Sequence, residues 1–285
     1  MKTDSSSPNQ ITDYLLTRAD YNLSQQSLNL KQSQVQDEMD FLGGIGRSFK
    51  IMSEYQVEDP FAPESPLVVN IGCLTGTAYM TGLRTYFTAY SPLKRTIQGA
   101  PMASWSAMSG SFGRKYRSTG LDDLVLTGRA ARPSILVLRQ GSDGPEISLD
   151  DAPDSMIGAV TPEKFKWLNE NYNQPEKRKY HAHFSVIGPA GENWDKVWYA
   201  CIVGSTQEQL MSGEDKFRFA GRLGMGSVLG SKNILAIVAY AEKDDYPKGD
   251  ERLKPINQEI GRGDQSKVYR HPMNRDGGGL SLIHI

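Results

Sequence analysis

Residues 220–241 read AGRLGMGSVLGSKNILAIVAYA. Gly221, Gly224, Gly226 and Gly230 place four glycines within ten residues, and the apolar run ILAIVAYA follows directly. That run has strand length and is bounded by turn residues, so it reads as a buried strand. The segment before it reads as the most flexible of the chain, with Arg218 and Arg222 at its mouth. A phosphate-binding P-loop requires GxxxxGK followed by Ser or Thr, between a strand and a helix. Here Lys232 follows Ser231 and leads into the apolar run, which excludes it. A dinucleotide fingerprint requires GxGxxG after a strand and opening a helix. Gly224, Gly226 and Gly230 give GxGxxxG, and the preceding EDKFRFA is a poor buried strand. Two readings stay open. Successive glycines let main-chain N–H groups converge on an anion, with the arginines supplying charge and planar hydrogen bonding. Equally, the glycines make a tight turn packed between strands.

Upstream, YLLTRADYNLSQQSLNL alternates in part and predicts a short hairpin. VQDEMDFLGGIGRSFKIMSEY has helical spacing broken at Gly43 and Gly44, and DPFAPESP is a proline-marked loop. LVVNIGCL and TYFTAY are strand candidates. KRTIQGAPMASWSAMSGSFGRKYRSTG is rich in Gly, Ser and Ala, a composition that lets backbone approach something closely. LDDLVLTGRA and PSILVLRQGSDGPEISL read as strands, the latter folded about a GSDG turn. TPEKFKWLNENYN predicts a helix capped by Thr161. HAHFSVIGPAGEN gives a strand and a Gly-Pro turn, KVWYACIVG a further strand, and TQEQLMSGEDKF a short helix or loop. Strands outnumber helices and come in runs, so the class is α+β and not a doubly wound parallel sheet. Residues 1–13 read as a flexible lead and 14–241 as one patterned domain. From 242 to 285 the chain is charged and poor in apolar residues, and reads as a linker and the truncated start of a second domain.

The 285 residues carry a net charge of -1, so nothing global selects nucleic acid or an anionic membrane as partner. No apolar run approaches the roughly 20 residues of a membrane span. The polar start MKTDSSSPNQ lacks the core of a signal peptide, and the expected location is the cytoplasm. The two cysteines, Cys73 and Cys201, form no CxxC pair, which leaves no self-contained cluster or zinc site. Cys73 reads as a small buried hydrophobe. His181 and His183 alternate as on a strand, lack a third ligand nearby, and read as an exposed pair.

Several segments taken together resemble the N-terminal domain of the aldehyde:ferredoxin oxidoreductase family, to which a tungsten benzoyl-coenzyme A reductase subunit is related. They are CLTGTAYMTGLRTYFTAYSPL, GSFGRKYRSTGLDDLVLTGRAARP, VIGPAGENWDKVWYACI and GRLGMGSVLGSKNILAI. The order and rough spacing match from about Tyr14 to Tyr240, with IGPAGEN and GSKN the most specific. IGPAGEN itself reads as structural, with Gly188 and Gly191 in the turn and Glu192 and Asn193 capping backbone.

The resemblance implies two intertwined β-sheets with a few helices, a duplicated α+β unit. It implies a tungsten or molybdenum bis-pyranopterin whose phosphates are bridged by Mg2+ bound to main-chain carbonyls. It places Arg84 of TGLR near that cofactor. In RFAGR, Arg218, Gly221 and Arg222 agree with the family's R-A-A-G-R, while Phe219 replaces an alanine whose carbonyl binds the bridging metal. AMSGS stands where the family has Asn-Ser-Gly-Gly, so a carbonyl ligand there comes from Ala107 or Met108, with Ser109 and Gly110 beside them. Gly224 completes the cofactor-binding set, and no catalytic side chain or metal-binding side chain is assigned. Extra residues precede AMSGS in KRTIQGAPMASWSAM, others lengthen STQEQLMSGEDKF, and RKYR replaces a family acid. The implied reaction oxidises an aldehyde to a carboxylic acid, with electrons leaving through a [4Fe–4S] cluster to ferredoxin or another electron-transfer subunit. The cluster's ligands are absent from this chain, which on that reading supplies the pterin floor and is inactive alone. Homodimers are common in the family. Two other readings stand beside this: a stand-alone metal-pterin scaffold, and a domain that binds nothing.

Overall fold

The computed structural model describes residues 15–77, 82–243, 251 and 253–262. The lead at 1–13 and most of 242–285 lie outside the described residues. Strand β1 (Leu15–Asn22) and β2 (Ser27–Gln34) form the expected hairpin, and α1 (Gly44–Met52) starts at the glycine pair. Then come β3 (Leu67–Ile71), β4 (Thr85–Arg95), β5 (Pro101–Met108), α2 (Ser111–Arg117) and β6 (Asp123–Thr127). The second half holds β7 (Ser134–Gln140), β8 (Pro145–Asp151), α3 (Thr161–Tyr172), β9 (Ala182–Val186) and α4 (Pro189–Glu192). It closes with β10 (Ile202–Gly204), α5 (Gln207–Ser212), β11 (Arg218–Ala220), α6 (Met225–Ser231) and β12 (Ile234–Tyr240); α7 (Leu253–Arg262) follows. Among the described residues no helix is long and apolar enough to cross a membrane.

The strands make two six-stranded sheets of the same topology. One is ordered β2-β1-β6-β3-β4-β5; the other is ordered β8-β7-β12-β9-β10-β11. β1 with β6 and β7 with β12 are the parallel pairs, and the other neighbours are antiparallel. The fold is α+β and duplicated, and the halves exchange helices. α2, from the first half, packs on β9 and β12, and its Lys115 Nζ donates to Ala241 O at 3.1 Å. α6, from the second half, packs on β4 as well as β12.

Alternation decides which side chains meet. In β3, Leu67, Val69 and Ile71 enter the core shared by the two sheets, while Val68 turns to Ile51 and Met52 of α1. On that second side Arg47 of α1 pairs with buried Asp123, whose other oxygen accepts from Asn70 Nδ2 at 3.2 Å. Burial pushes the Asp123 carboxyl up, and Arg47 opposes that. Removing one partner of such a pair leaves an uncompensated buried charge, at a cost of about 3–5 kcal/mol.

Four sequence expectations need correction. The glycine stretch is not a flexible lead-in: Met225–Ser231 is a helix, buried throughout. Met225, Val228 and Leu229 supply its apolar face at i, i+3, i+4. Gly226 lies against the Cys201 carbonyl and Gly230 against the Gly191 carbonyl, where a Cβ would overlap backbone. KVWYACIVG is extended only at Ile202–Gly204, because Ala200 turns its backbone to α6, accepting from Gly226 N at 2.9 Å. PMASWSAM, read only as rich in small residues, is strand β5. Thr161 begins α3 as its first residue, with Val160 at the cap position.

Gly230→Ala is expected to destabilise the chain by roughly 3 kcal/mol, since the added methyl meets backbone that cannot rotate away. Gly46→Ala in α1, where the methyl would lie an ordinary 3.8 Å from Phe41, is expected to be neutral or stabilising by up to about 1 kcal/mol. Urea denaturation of both variants checks the contrast.

Candidate functional site

Most of the sequence-predicted residues, drawn from both halves, lie where the edge strands β5 and β11 meet. β4 pairs with β5 so that Thr85 faces Met108 and Tyr86 faces Ala107. Arg84 therefore enters the sheet beside Ser109, and its carbonyl accepts from Thr75 Oγ1 at 2.9 Å. β11 pairs with β10, Gly204 facing Arg218 and Val203 facing Phe219. The two edges are joined twice. Arg222 N donates to Ser106 Oγ of β5 at 3.1 Å. Gly110, at φ 110°, lies close enough to Arg218 that a Cβ there would be 3.2 Å from Arg218 Cγ. Ser111 Oγ adds a tie by accepting from Gln207 N at 3.2 Å.

The junction is an open surface. Arg84, Arg218, Gly221 and Arg222 are exposed, and Phe219 is 57% exposed. The bulk of Phe219 therefore points away from the core and crowds nothing there. Around Gly221 a Cβ would meet only Phe219 Cβ, at 3.9 Å, so the main chain of this residue is open to approach. Arg218 Nη1 donates to Phe217 O at 3.1 Å. No carboxylate pairs with Arg84, Arg218 or Arg222 among the described residues. A sequence signal for this was missed: six basic residues and no acidic one lie between Glu64 and Asp122. An acid-free stretch next to unpaired guanidinium groups makes the junction receptive to anions.

Two predicted members sit elsewhere. Gly224 is buried at the start of α6, against the Trp198 carbonyl and Pro92, so its missing side chain serves packing. Met108 sends its side chain into the core, leaving only its main chain near the surface. Other expectations also shift. Cys73 is exposed, because it falls in the turn after β3. His183 is 3% exposed, with Nδ1 3.0 Å from Ser205 Oγ behind the β10 end, so the histidines are not an exposed pair. Glu192 accepts from Gly158 N at 2.8 Å and pairs with buried Lys164.

Lys232 of GSKN is 1% exposed. Its Nζ donates to Ser65 O at 2.6 Å and to Pro63 O and Gly128 O at 3.4 Å. Burial, with Arg129 alongside, pulls its pKa down to about 7 from 10.5.

A duplicated α+β domain whose halves meet in an arginine-bearing, main-chain-lined surface is the class that fold and junction define. Residues 20–241 match the family model described as aldehyde ferredoxin oxidoreductase, N-terminal domain, and the chain belongs to that family. It is 32% identical over 200 residues to a tungsten-containing aldehyde ferredoxin oxidoreductase of Pyrococcus abyssi, covering 70% of this chain and 28% of that protein. Over 258 residues it is 27% identical to the WOR-like subunit of an aliphatic sulfonate oxidoreductase of Pyrococcus furiosus, covering 86% of this chain and 37% of that one. The fold is also that of the active site complex BamBC of benzoyl coenzyme A reductase, with a TM-score of 0.70 at 24% identity, covering 90% of this chain and 35% of that chain. The chain thus spans well under half the length of these relatives.

The Lys232 ammonium sets a pH dependence. Between about pH 7 and 10.5 the unfolded chain holds this proton and the folded chain releases it. Stability therefore rises with pH across that window, by up to about 1.4 kcal/mol per unit, and the penalty is complete below pH 7. Lys232→Met is expected to remove that slope; urea denaturation at pH 7.5 and 9.5 on both proteins measures it.

Proposed function

We propose that this chain holds the phosphate ends of a tungsten or molybdenum bis-pyranopterin in a longer oxidoreductase. The observation that carries the reading is that three exposed arginines, free of carboxylate partners among the described residues, attach to the same end of β5: Arg84 precedes the Thr85–Met108 pair, Arg218 lies against Gly110, and Arg222 N donates to Ser106 Oγ. The residues fit such a group: guanidinium groups match phosphate oxygens in pairs, and the bare backbone at Gly221 admits a close approach. Arg84, Arg218 and Arg222 would hold the phosphates. Main-chain groups of Ala107, Met108, Ser109, Gly110, Phe219 and Gly221 would line the floor and supply carbonyls to a bridging Mg2+. The bound cofactor would supply the redox chemistry; the protein orients and neutralises it.

The whole protein, on this proposal, oxidises aldehydes to carboxylic acids, with electrons passing through a [4Fe–4S] cluster to ferredoxin or another electron-transfer subunit. Two relatives are named as a subunit and as part of a complex, which favours a partner subunit. The two cysteines of this chain cannot ligate a four-cysteine cluster, so the cluster belongs to other parts of the protein. That same shortage sustains the scaffold reading, in which the chain carries the metal-pterin without catalysis of its own. The domain is taken as 14–241 and the cytoplasm as its location.

Arg218→Ala/Arg222→Ala in the complete protein is expected to lower tungsten and pterin content at least fivefold, with a stability change within about 0.5 kcal/mol, as for surface sites. Metal analysis and pterin fluorescence read this directly, and an unchanged content contradicts the proposal. The 285-residue chain alone is expected to show no aldehyde turnover with a dye acceptor.

A further inference from the structure

Arg84 is the first-half arginine of the junction, exposed at the foot of β4. A buried side chain grips its main chain. Thr75, 3% exposed, donates its hydroxyl proton to Arg84 O at 2.9 Å. The same Oγ1 accepts from Gly72 N at 3.3 Å, and Thr75 N donates to Gly72 O at 2.9 Å. A hydroxyl has one proton to give, and here Arg84 takes it. Gly76 N donates to Gly82 O at 2.9 Å, which joins the two arms of the loop just before Arg84.

The loop rests on α2, the helix that crosses to the second half. Two glycines permit the close contact. A Cβ on Gly76, at φ 73°, would stand 3.1 Å from Arg117 Cδ and 3.3 Å from Arg114 Cα. A Cβ on Gly113 would overlap Thr85 Oγ1 and lie 3.1 Å from Thr75 Cγ2. Arg117 Nη1 adds a hydrogen bond to Thr75 O at 3.2 Å. Thr75 is β-branched and stiff at χ1, and its methyl against Gly113 holds the rotamer that aims the hydroxyl at Arg84.

We infer that Thr75 is a positioning residue for Arg84, its hydroxyl carrying the seat of α2 to that arginine. The inference rests on the phosphate-holding reading of the junction given above. The line of support is continuous: β9 and β12 hold α2, α2 holds Thr75, and Thr75 holds Arg84. Paired N–H···O bonds from a guanidinium to a phosphate are geometrically exacting. An arginine whose main chain drifts keeps its charge and loses that pairing.

Variants of the complete protein test this, read as tungsten and pterin content per folded molecule by metal analysis and pterin fluorescence. Thr75→Val keeps the shape and removes the hydroxyl, and its content is expected to fall about threefold or more, the worth of one hydrogen bond. Thr75→Ser restores the hydroxyl and is expected to hold the parent's content. Arg84→Ala is expected to fall at least as far as Thr75→Val. Arg84→Ala/Thr75→Val is expected to fall no further than Arg84→Ala, because the hydroxyl then has no guanidinium to place. If Thr75→Val does not fold, Thr75→Ala supplies a second hydroxyl-free variant. Thr75→Val at the parent's content, with Arg84→Ala depleted, overturns the inference and leaves the role of the junction standing. A depletion that Thr75→Ser shares equally, or one that multiplies with Arg84→Ala, also overturns it, since Thr75 would then serve the fold alone. Arg84→Ala at the parent's content contradicts the phosphate-holding reading of this arginine, and the inference with it.

Discussion

The junction depends on one close approach of main chain to main chain. α6 can sit where it does only because Gly226 and Gly230 present bare backbone to Cys201 and Gly191, and Gly224 to Trp198. Packed interiors do not yield to an extra methyl, so this contact fixes how closely the helix approaches its neighbours. The loop before it is fixed in turn: Ser91 Oγ of β4 donates to Leu223 O at 2.9 Å. Arg218, Gly221 and Arg222 are thereby held as an exposed rim on a rigid mount. The conformational freedom of glycine matters less here than the absence of a side chain.

Duplication with exchange explains why the site lies where it does. Each half sends the helix between its fifth and sixth strands across to the other, so neither sheet can be removed without exposing both cores. The edge strands β5 and β11 are equivalent in the two halves, and each leads through a glycine into its exchanged helix. Arg84 and Ser109 come from the first half, Arg218 and Arg222 from the second. The anion-receptive surface exists only once the halves have joined.

Much of this was legible in the residues. Strong alternation or continuous apolar runs placed β1, β3, β6, β7, β9 and β12, and the GSDG turn set the β7–β8 hairpin. The α+β class followed from the runs of strands. What escaped was decided by tertiary contact. Gly lowers helix propensity, so α6 was hidden although Met225, Val228 and Leu229 carried a helical period. β5 was hidden because its alternation is written in Ser and Ala, and their burial is set by neighbours distant in sequence: Ala103 packs against the Ile51–Met52 cluster and Ser106 Oγ accepts from Arg222 N. The glycine motif had two open readings, and the structure divides them by residue: Gly224, Gly226 and Gly230 pack, while Gly221 alone of the four stays open. The arginines could be named from their motifs, but their freedom from carboxylates among the described residues needed the fold.

The central claim is that the β5–β11 junction, with its three arginines, is the floor beneath an anionic metal cofactor. Diffraction from crystals of the complete protein at the tungsten absorption edge tests it most directly. The account predicts an anomalous peak over the exposed side of Arg84, Arg218 and Arg222. A peak over any other surface of this domain would contradict it.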